Sequence, residues 1–135
     1  MDFHRIRTAH LRLGRRGENA ACRFLNARNF DILLKNYRTS SGEIDIVARD
    51  GMTLCFIEVK TRRPTSKSRP AQGLSQHQKK RICAAAMHYL AEISSPSAPF
   101  RFDLIEVVMS RWRLRELRHW PSHFTREELF NARRT

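Results

Sequence analysis

Acidic residues are scarce in this chain: thirteen Asp and Glu stand against twenty-six Lys and Arg, for a formal charge of +13 and an isoelectric point near 11.1. A surface this basic attracts polyanions, and nucleic acid is the commonest of them. Acidic membranes and ribosomal RNA would feel the same attraction, so charge alone names no partner. Cysteine is sparse as well. Cys22, Cys55 and Cys83 are odd in number, scattered and set among apolar neighbours, without a CxxC or a His/Cys cluster. A disulfide scaffold and a zinc site are thereby excluded, and buried free thiols in a reducing cytoplasm are expected. No apolar run approaches the ~20 residues of a membrane span, and the first residues lack the apolar middle of a secretory signal. The Arg-rich start shares its composition with organelle transit peptides, but it runs straight into a helical pattern. There is no P-loop, GxGxxG, GxSxG or zinc finger, the six histidines show no ligand spacing, and no cysteine has a partnered base. Nucleophilic catalysis is unsupported.

What is present centres on residues 42–60. Asp50-Gly51 between two apolar stretches signals a hairpin with a two-residue turn. The second arm, 54–59, is almost continuously apolar, as in a strand covered on both faces. Charges do not belong there, yet Asp45 interrupts the first arm and Glu58 and Lys60 the second. Glu58 and Lys60 share a face, about 7 Å apart at ~3.3 Å per residue, and an antiparallel hairpin brings Asp45 near Glu58. Two carboxylates that close in a poorly solvated place repel each other and resist desolvation. A divalent cation bound to both removes the conflict, and a neighbouring lysine can hold or activate water. The competing reading makes Glu58 and Lys60 a solvated pair on an edge strand.

The 135 residues, 41% of them hydrophobic, suit one domain with a sizeable core. Residues 1–10 carry no clear period and read as a flexible basic arm, 11–121 as the single domain, and 122–135 as an extension with a short helix. Helical spacing covers 11–29, with Ala20, Ala21, Phe24 and Leu25 as the apolar stripe. Glu18 lies at the stripe's edge, facing the sheet, where it either pairs with an arginine or joins Asp45 and Glu58. Strands are expected over 31–37, 43–49, 53–61 and 100–109. A further strand over 112–119 carries Arg111, Arg113 and Arg115 on one face, which reads as a solvated strand face or a phosphate-binding ridge. Residues 62–73 form a basic loop, and eight Lys or Arg with no acid lie between Lys60 and Arg81. Ser75 and Gln78 form a capping box for a second helix, as do Thr125 and Glu128 for a terminal one. His77 is the one histidine beside the candidate site, and a solvated position at the helix start is its simplest explanation.

The order of a helix with Glu18, a strand, Gly42-Glu43-Ile44-Asp45, Phe56-Ile57-Glu58-Val59-Lys60-Thr61-Arg62, a helix and a strand with Arg101-Phe102-Asp103 resembles the PD-(D/E)xK nuclease superfamily. More narrowly it is similar to the small bacterial YraN-type family of predicted endonucleases, itself akin to archaeal Holliday-junction resolvases. Gly14-Arg15-Arg16-Gly17-Glu18 and Asn36-Tyr37-Arg38 also carry the likeness, which spans about residues 11–110.

The resemblance implies an α/β, restriction-endonuclease-like fold with a central mixed five-stranded sheet flanked by helices. It also implies metal-dependent hydrolysis of DNA phosphodiesters, branched or structured DNA included. Asp45, Glu58 and the Val59 backbone carbonyl would hold Mg²⁺ or Mn²⁺, Lys60 would orient the attacking water, and Glu18 would be the accessory acid. Gln76, Gln78 and Lys79 compete for the place of the second helix's contribution, and helical phase favours Gln78. Arg15, Arg16, Arg38, Arg62, Arg63, Lys67, Arg69, Lys79 and Lys80 are the candidate nucleic-acid contacts. Ile44 stands where the superfamily's name has proline. A homodimer is the assembly suggested by junction resolvases, which must cut two strands. The alternative is a non-catalytic nucleic-acid-binding module that keeps the fold.

Overall fold

Apolar alternation through residues 43–62 builds the middle of a five-stranded sheet whose two faces are each closed by a helix. The computed structural model describes residues 3–64 and 73–131. The order is α1 (Phe3–Ala27), β1 (Asp31–Arg38), β2 (Glu43–Asp50), β3 (Thr53–Arg62), α2 (Gln76–Glu92), β4 (Phe100–Met109), β5 (Leu114–Phe124) and α3 (Arg126–Asn131). The strands lie in chain order in one sheet. Neighbours are antiparallel except β3 and β4, which run parallel because α2 crosses between them. The mixed five-stranded α/β architecture expected from the sequence is therefore present.

Each face has its own core. On one, Ala21, Cys22 and Leu25 of α1 meet Ile46, Ala48, Cys55, Ile57, Ile105 and Val107. On the other, Ile82, Ala85, Ala86 and Leu90 of α2 meet Val47, Leu54, Phe56, Phe102 and Leu104. Adjacent residues of β3 enter opposite cores, which is why 54–57 is continuously apolar. The three free cysteines are buried. Burial pushes all three thiols up, Cys55 to about 12, so they stay protonated near neutral pH.

Three boundaries differ from expectation. Helix α1 begins at Phe3, eight residues before the helical pattern and inside the segment read as an arm. No proline, and no glycine before Gly14, interrupts that stretch, so a helix nucleated on the packed Ala20–Leu25 stripe propagates back through it. The hairpin turn is one residue later than its dipeptide suggests: Asp50 pairs with Thr53, leaving Gly51 and Met52 as the loop. Gly51 has φ 59° and Met52 no positive φ, the glycine-first pattern of type II′ turns. Strand β5 runs through Pro121 to Phe124, past the expected domain end. It is an edge strand, where proline is tolerated, and Ser122 (φ 51°) lies where the β4–β5 register shifts. Phe124 stacks on Phe102 at 4.6 Å, and Leu129 of α3 joins the same core. The C-terminal segment thus belongs to the domain's interior.

Candidate functional site

The one-residue shift of the turn decides the geometry of the carboxylates. Ile46 opposes Ile57, so the next step outward sets Asp45 across from Glu58. The ladder stops there, because Val59 N–H donates to Asp45 Oδ2 at 2.8 Å. On the other side of β2, Asn36 lies between the pairs Lys35–Ile46 and Tyr37–Ile44, hence opposite Asp45, and has φ 54°. Asparagine tolerates that left-handed conformation. Ile44 and Val47 share the α2-side core although they are three residues apart, so strand alternation breaks at Asp45. The middle strands separate at this end of the sheet, and the acid sits in the opening.

Two glycines bring the helices close. A methyl on Gly17 would lie 1.7 Å from Thr61 Oγ1, and one on Gly42 would lie 1.8 Å from the Arg81 carbonyl oxygen. Gly17 presses α1 onto the end of β3, with Glu18 next to it. Gly42 presses the start of β2 onto α2.

Asp45 and Glu58 are half-buried and hydrogen-bonded to each other. Glu58 is pushed up to about 9, first by burial, then by the charge of Asp45 and the proton it shares with that residue. Burial also raises Asp45, to about 6, with the Val59 amide pulling the other way and Glu18 and Glu43 adding repulsion. Asp45 and Glu58 thus lie together, and Glu18 of α1 is near enough for its charge to be felt at Asp45. Glu43 was missed as a site residue: it repels both Asp45 and Glu58 and lines a small cavity of about 70 Å³ with Glu58, Gln78 and Arg81. Its signal was its place two residues before Asp45.

Lys60 Nζ donates to the Gly73 carbonyl at 3.1 Å, which ties the end of β3 to the approach to α2. Its positive charge counters the rise at Glu58. Gln78 reaches the cavity, but its Oε1 accepts from Ser75 N–H at 3.0 Å while Ser75 Oγ accepts from Gln78 N–H at 3.1 Å. The capping box occupies its carbonyl and leaves its amide as donor. His77 is exposed, as anticipated. A different histidine, His123, packs on Gly73; burial and then the Lys79 charge lower its pKa, with a smaller effect from Lys60.

Glu106 was also missed. It pairs with Lys60 across the parallel strands, is 4% exposed, and its Oε2 has no hydrogen-bond partner. Burial raises its pKa, while the Trp120 indole and the charges of Arg62, Arg118 and Lys60 hold it down. One acid in the apolar run Leu104–Met109 was the available signal. Asp103 lies elsewhere and is structural: it binds Arg101 Nε, His119 Nε2 (2.8 Å) and Ser122 N–H (3.0 Å).

The cationic candidates divide. Arg16 and Arg63 line one cleft with Arg12 and Arg111. Arg38 pairs with Glu43 at 3.7 Å on the surface, and Lys79 Nζ lies 5.6 Å from the Phe124 ring centroid. Arg15 and Lys80 are exposed, and Arg62 is half-buried. Lys67 and Arg69 lie outside the described residues. Arg111 and Arg113 sit in the β4–β5 turn, before β5 begins, so the expected row on a strand face does not form.

Among the described residues no group of three or more His, Cys, Asp or Glu is arranged to hold a metal ion. Two paired carboxylates nevertheless suit Mg²⁺, which keeps several waters and takes only one or two protein carboxylates. Their raised pKa values mark the repulsion that such a cation relieves. Also among the described residues, no helix is long and apolar enough to cross a membrane.

Residues 17–107 match the sequence model of a family described as "Uncharacterised protein family UPF0102". A UPF0102 protein of Chlorobium phaeobacteroides is 43% identical over 109 residues, 78% of this chain and 86% of its own length. One from Chlorobaculum tepidum is 46% identical over 96 residues, 71% of this chain and 74% of its own. A third, from Symbiobacterium thermophilum, is 43% identical over 96 residues, covering 71% and 81%.

Proposed function

This chain belongs to the uncharacterised protein family UPF0102, and we propose that it is a divalent-metal-dependent nuclease of the PD-(D/E)xK, restriction-endonuclease-like type, related to the YraN-type endonucleases, that hydrolyses phosphodiesters of DNA. The observation that carries the reading is the Asp45–Glu58 pair: two half-buried carboxylates set opposite each other at the parting of the central strands, with Lys60 next but one along β3. Two acids set together in a poorly solvated place repel each other. On a chain of +13 they fit a cation that joins an acidic centre to a polyanion.

In this mechanism Asp45, Glu58 and the Val59 carbonyl would hold Mg²⁺ or Mn²⁺, which would supply Lewis-acid stabilisation of charge on the phosphoryl oxygens. Lys60 would orient the attacking water and stabilise the charge that develops on the phosphoryl oxygens. Glu18, on the α1 side, orders water near Asp45. Gln78 presents its amide N–H to the substrate while its carbonyl stays in the helix cap. Arginines and lysines around the opening hold the backbone in place.

The test is cleavage of labelled single-stranded, duplex, flap and four-way-junction DNA with Mg²⁺ and with Mn²⁺, comparing wild type with Asp45→Asn and Lys60→Ala. Divalent-dependent cutting lost in both variants is expected. Binding by all three proteins with equal salt dependence and no cutting would replace this reading with that of a nucleic-acid-binding module.

A further inference from the structure

Two clefts on the α1 side of the sheet meet at Arg16. The larger, about 510 Å³, has an apolar floor of Phe24, Met109 and Leu117, with Arg16, Arg23 and Trp112 around it. The smaller, about 240 Å³, is lined by Arg12, Arg16, Arg63 and Arg111. Neither lining contains an acid.

Trp112 is 82% exposed, and the Arg111 guanidinium lies 5.1 Å from its ring centroid. Solvent gains nothing from a bare indole. The turn that carries it is nevertheless well determined: Ser110 Oγ accepts from Arg113 N–H at 3.1 Å, and Ser110 N–H donates to the Arg113 carbonyl at 2.9 Å. The ring is held out over an apolar floor by a hydrogen-bonded turn, with cations alongside. An aromatic platform with a basic track beside it is what a single strand of nucleic acid needs, since every base offers a π-face and every linkage a charge.

We infer that this double cleft binds an unpaired segment of nucleic acid, one base against Trp112 and the apolar floor and the adjoining phosphates on Arg12, Arg16, Arg63 and Arg111. The larger cleft falls within the ~300–1,000 Å³ of small-ligand sites, enough for a base with its sugar. Bases inside a duplex are stacked on one another and cannot meet the indole face. The inference rests on the reading that Asp45 and Glu58 work on nucleic acid, and it narrows the substrate to one that carries unpaired nucleotides.

The test is titration of the full chain carrying Asp45→Asn, without divalent metal, while tryptophan fluorescence and affinity are followed together. The probes are an oligo-dT strand, a blunt duplex of the same length and a strand of abasic deoxyribose phosphates. Oligo-dT quenches the fluorescence, and Trp112→Phe in that background removes most of the quench. Trp112→Ala weakens oligo-dT binding roughly 5- to 150-fold, the range for loss of one base–aromatic stack, and leaves duplex affinity within about twofold. The duplex and abasic strand bind without quenching. Equal quenching by the abasic strand or by polyglutamate would overturn the proposal, leaving a generally anion-binding surface, and so would oligo-dT binding that leaves Trp112 silent. No cleavage step enters this readout. Loss of the nuclease reading with Trp112 still quenched, and cleavage with Trp112 silent, are distinct results.

Discussion

Asp45 Oδ2 accepts the Val59 backbone N–H at 2.8 Å, so a side chain takes the place of a ladder carbonyl where β2 and β3 part. One residue thereby opens the sheet and stands in the opening it makes. Asp45→Asn retains an acceptor for Val59 and removes a charge from the repulsive pair. Cleavage is expected to fall on the order of 10³-fold, as for loss of one charge-stabilising group, while the melting temperature holds or rises. Asp45→Ala strands the amide as well and costs about 1–3 kcal/mol. Rate assays with thermal melts of the same samples check both halves.

The pair also sets a pH dependence. Burial and the neighbouring Asp45 charge push Glu58 up from 4.5 to about 9, so the fold favours its protonated form. Its contribution is complete below the ordinary value, declines as pH rises above it and is lost as pH passes about 9. The metal-free chain should therefore melt at a lower temperature at pH 9 than at pH 6, and Glu58→Gln should flatten that difference. A divalent cation bound by both carboxylates would displace the pair's proton. Its binding near pH 7 should release protons, seen as a buffer-dependent calorimetric heat, and should raise the melting temperature more at high pH.

Gly17 and Gly42 fail differently when enlarged. A Cβ at Gly42 meets the main chain of α2 at the Arg81 carbonyl, 1.8 Å away, and nothing short of moving the helix relieves it. Gly42→Ala should cost about 3 kcal/mol or more. Gly17→Ala meets the Thr61 side chain, whose Oγ1 and Cγ2 can be deleted. Thr61→Ala should return part of the lost stability to Gly17→Ala and none to Gly42→Ala, as read by urea denaturation of the single and double variants.

Much of this arrangement was legible because local signals agreed. Ser75-x-x-Gln78 gives the observed capping box, and continuous apolarity across 54–57 marks a strand buried on both faces. The acids Glu18, Asp45 and Glu58 stood out because each interrupts an apolar pattern. What the sequence hid depends on relations between distant residues. Which of two adjacent dipeptides turns the hairpin depends on the whole ladder, and only the later one sets Asp45 opposite Glu58. Glu106 resembles any stray acid in a strand until β4 lies parallel to β3 and places it beside Lys60. His123 reaches Gly73 only because Pro121 and Ser122 are accommodated on an edge strand.

Arginines that meet phosphates should reveal themselves through salt. Arg16 and Arg63 share a cleft with Arg12 and Arg111, with no acid in its lining. Replacing either by Ala should reduce the slope of log affinity against log salt by ~0.9 for a duplex contact, or ~0.7 for a single-strand contact. Arg38 is already paired with Glu43. Its replacement should change the slope less, which fluorescence anisotropy across a salt series would show.

Asp103 anchors the edge of the sheet and takes no part in the opening at the other carboxylates. Its side chain is wholly buried and accepts from Arg101 Nε, from Ser122 N–H and from the His119 ring, so one carboxylate fastens β5 to β4 where their register shifts. Asp103→Ala removes one of the two counter-charges of Arg101, which keeps Asp50 at 3.3 Å, and strands the Ser122 N–H, a loss of about 1–3 kcal/mol. Asp103→Asn keeps an acceptor for Ser122 and should cost less. Neither change touches Asp45, Glu58 or Lys60. Any fraction that remains folded at low temperature should therefore retain metal binding, measured by calorimetry, even as its melting temperature drops. Loss of metal binding in a demonstrably folded Asp103→Asn chain would show that this anchor and the acidic pair are coupled through the adjoining strands β3 and β4.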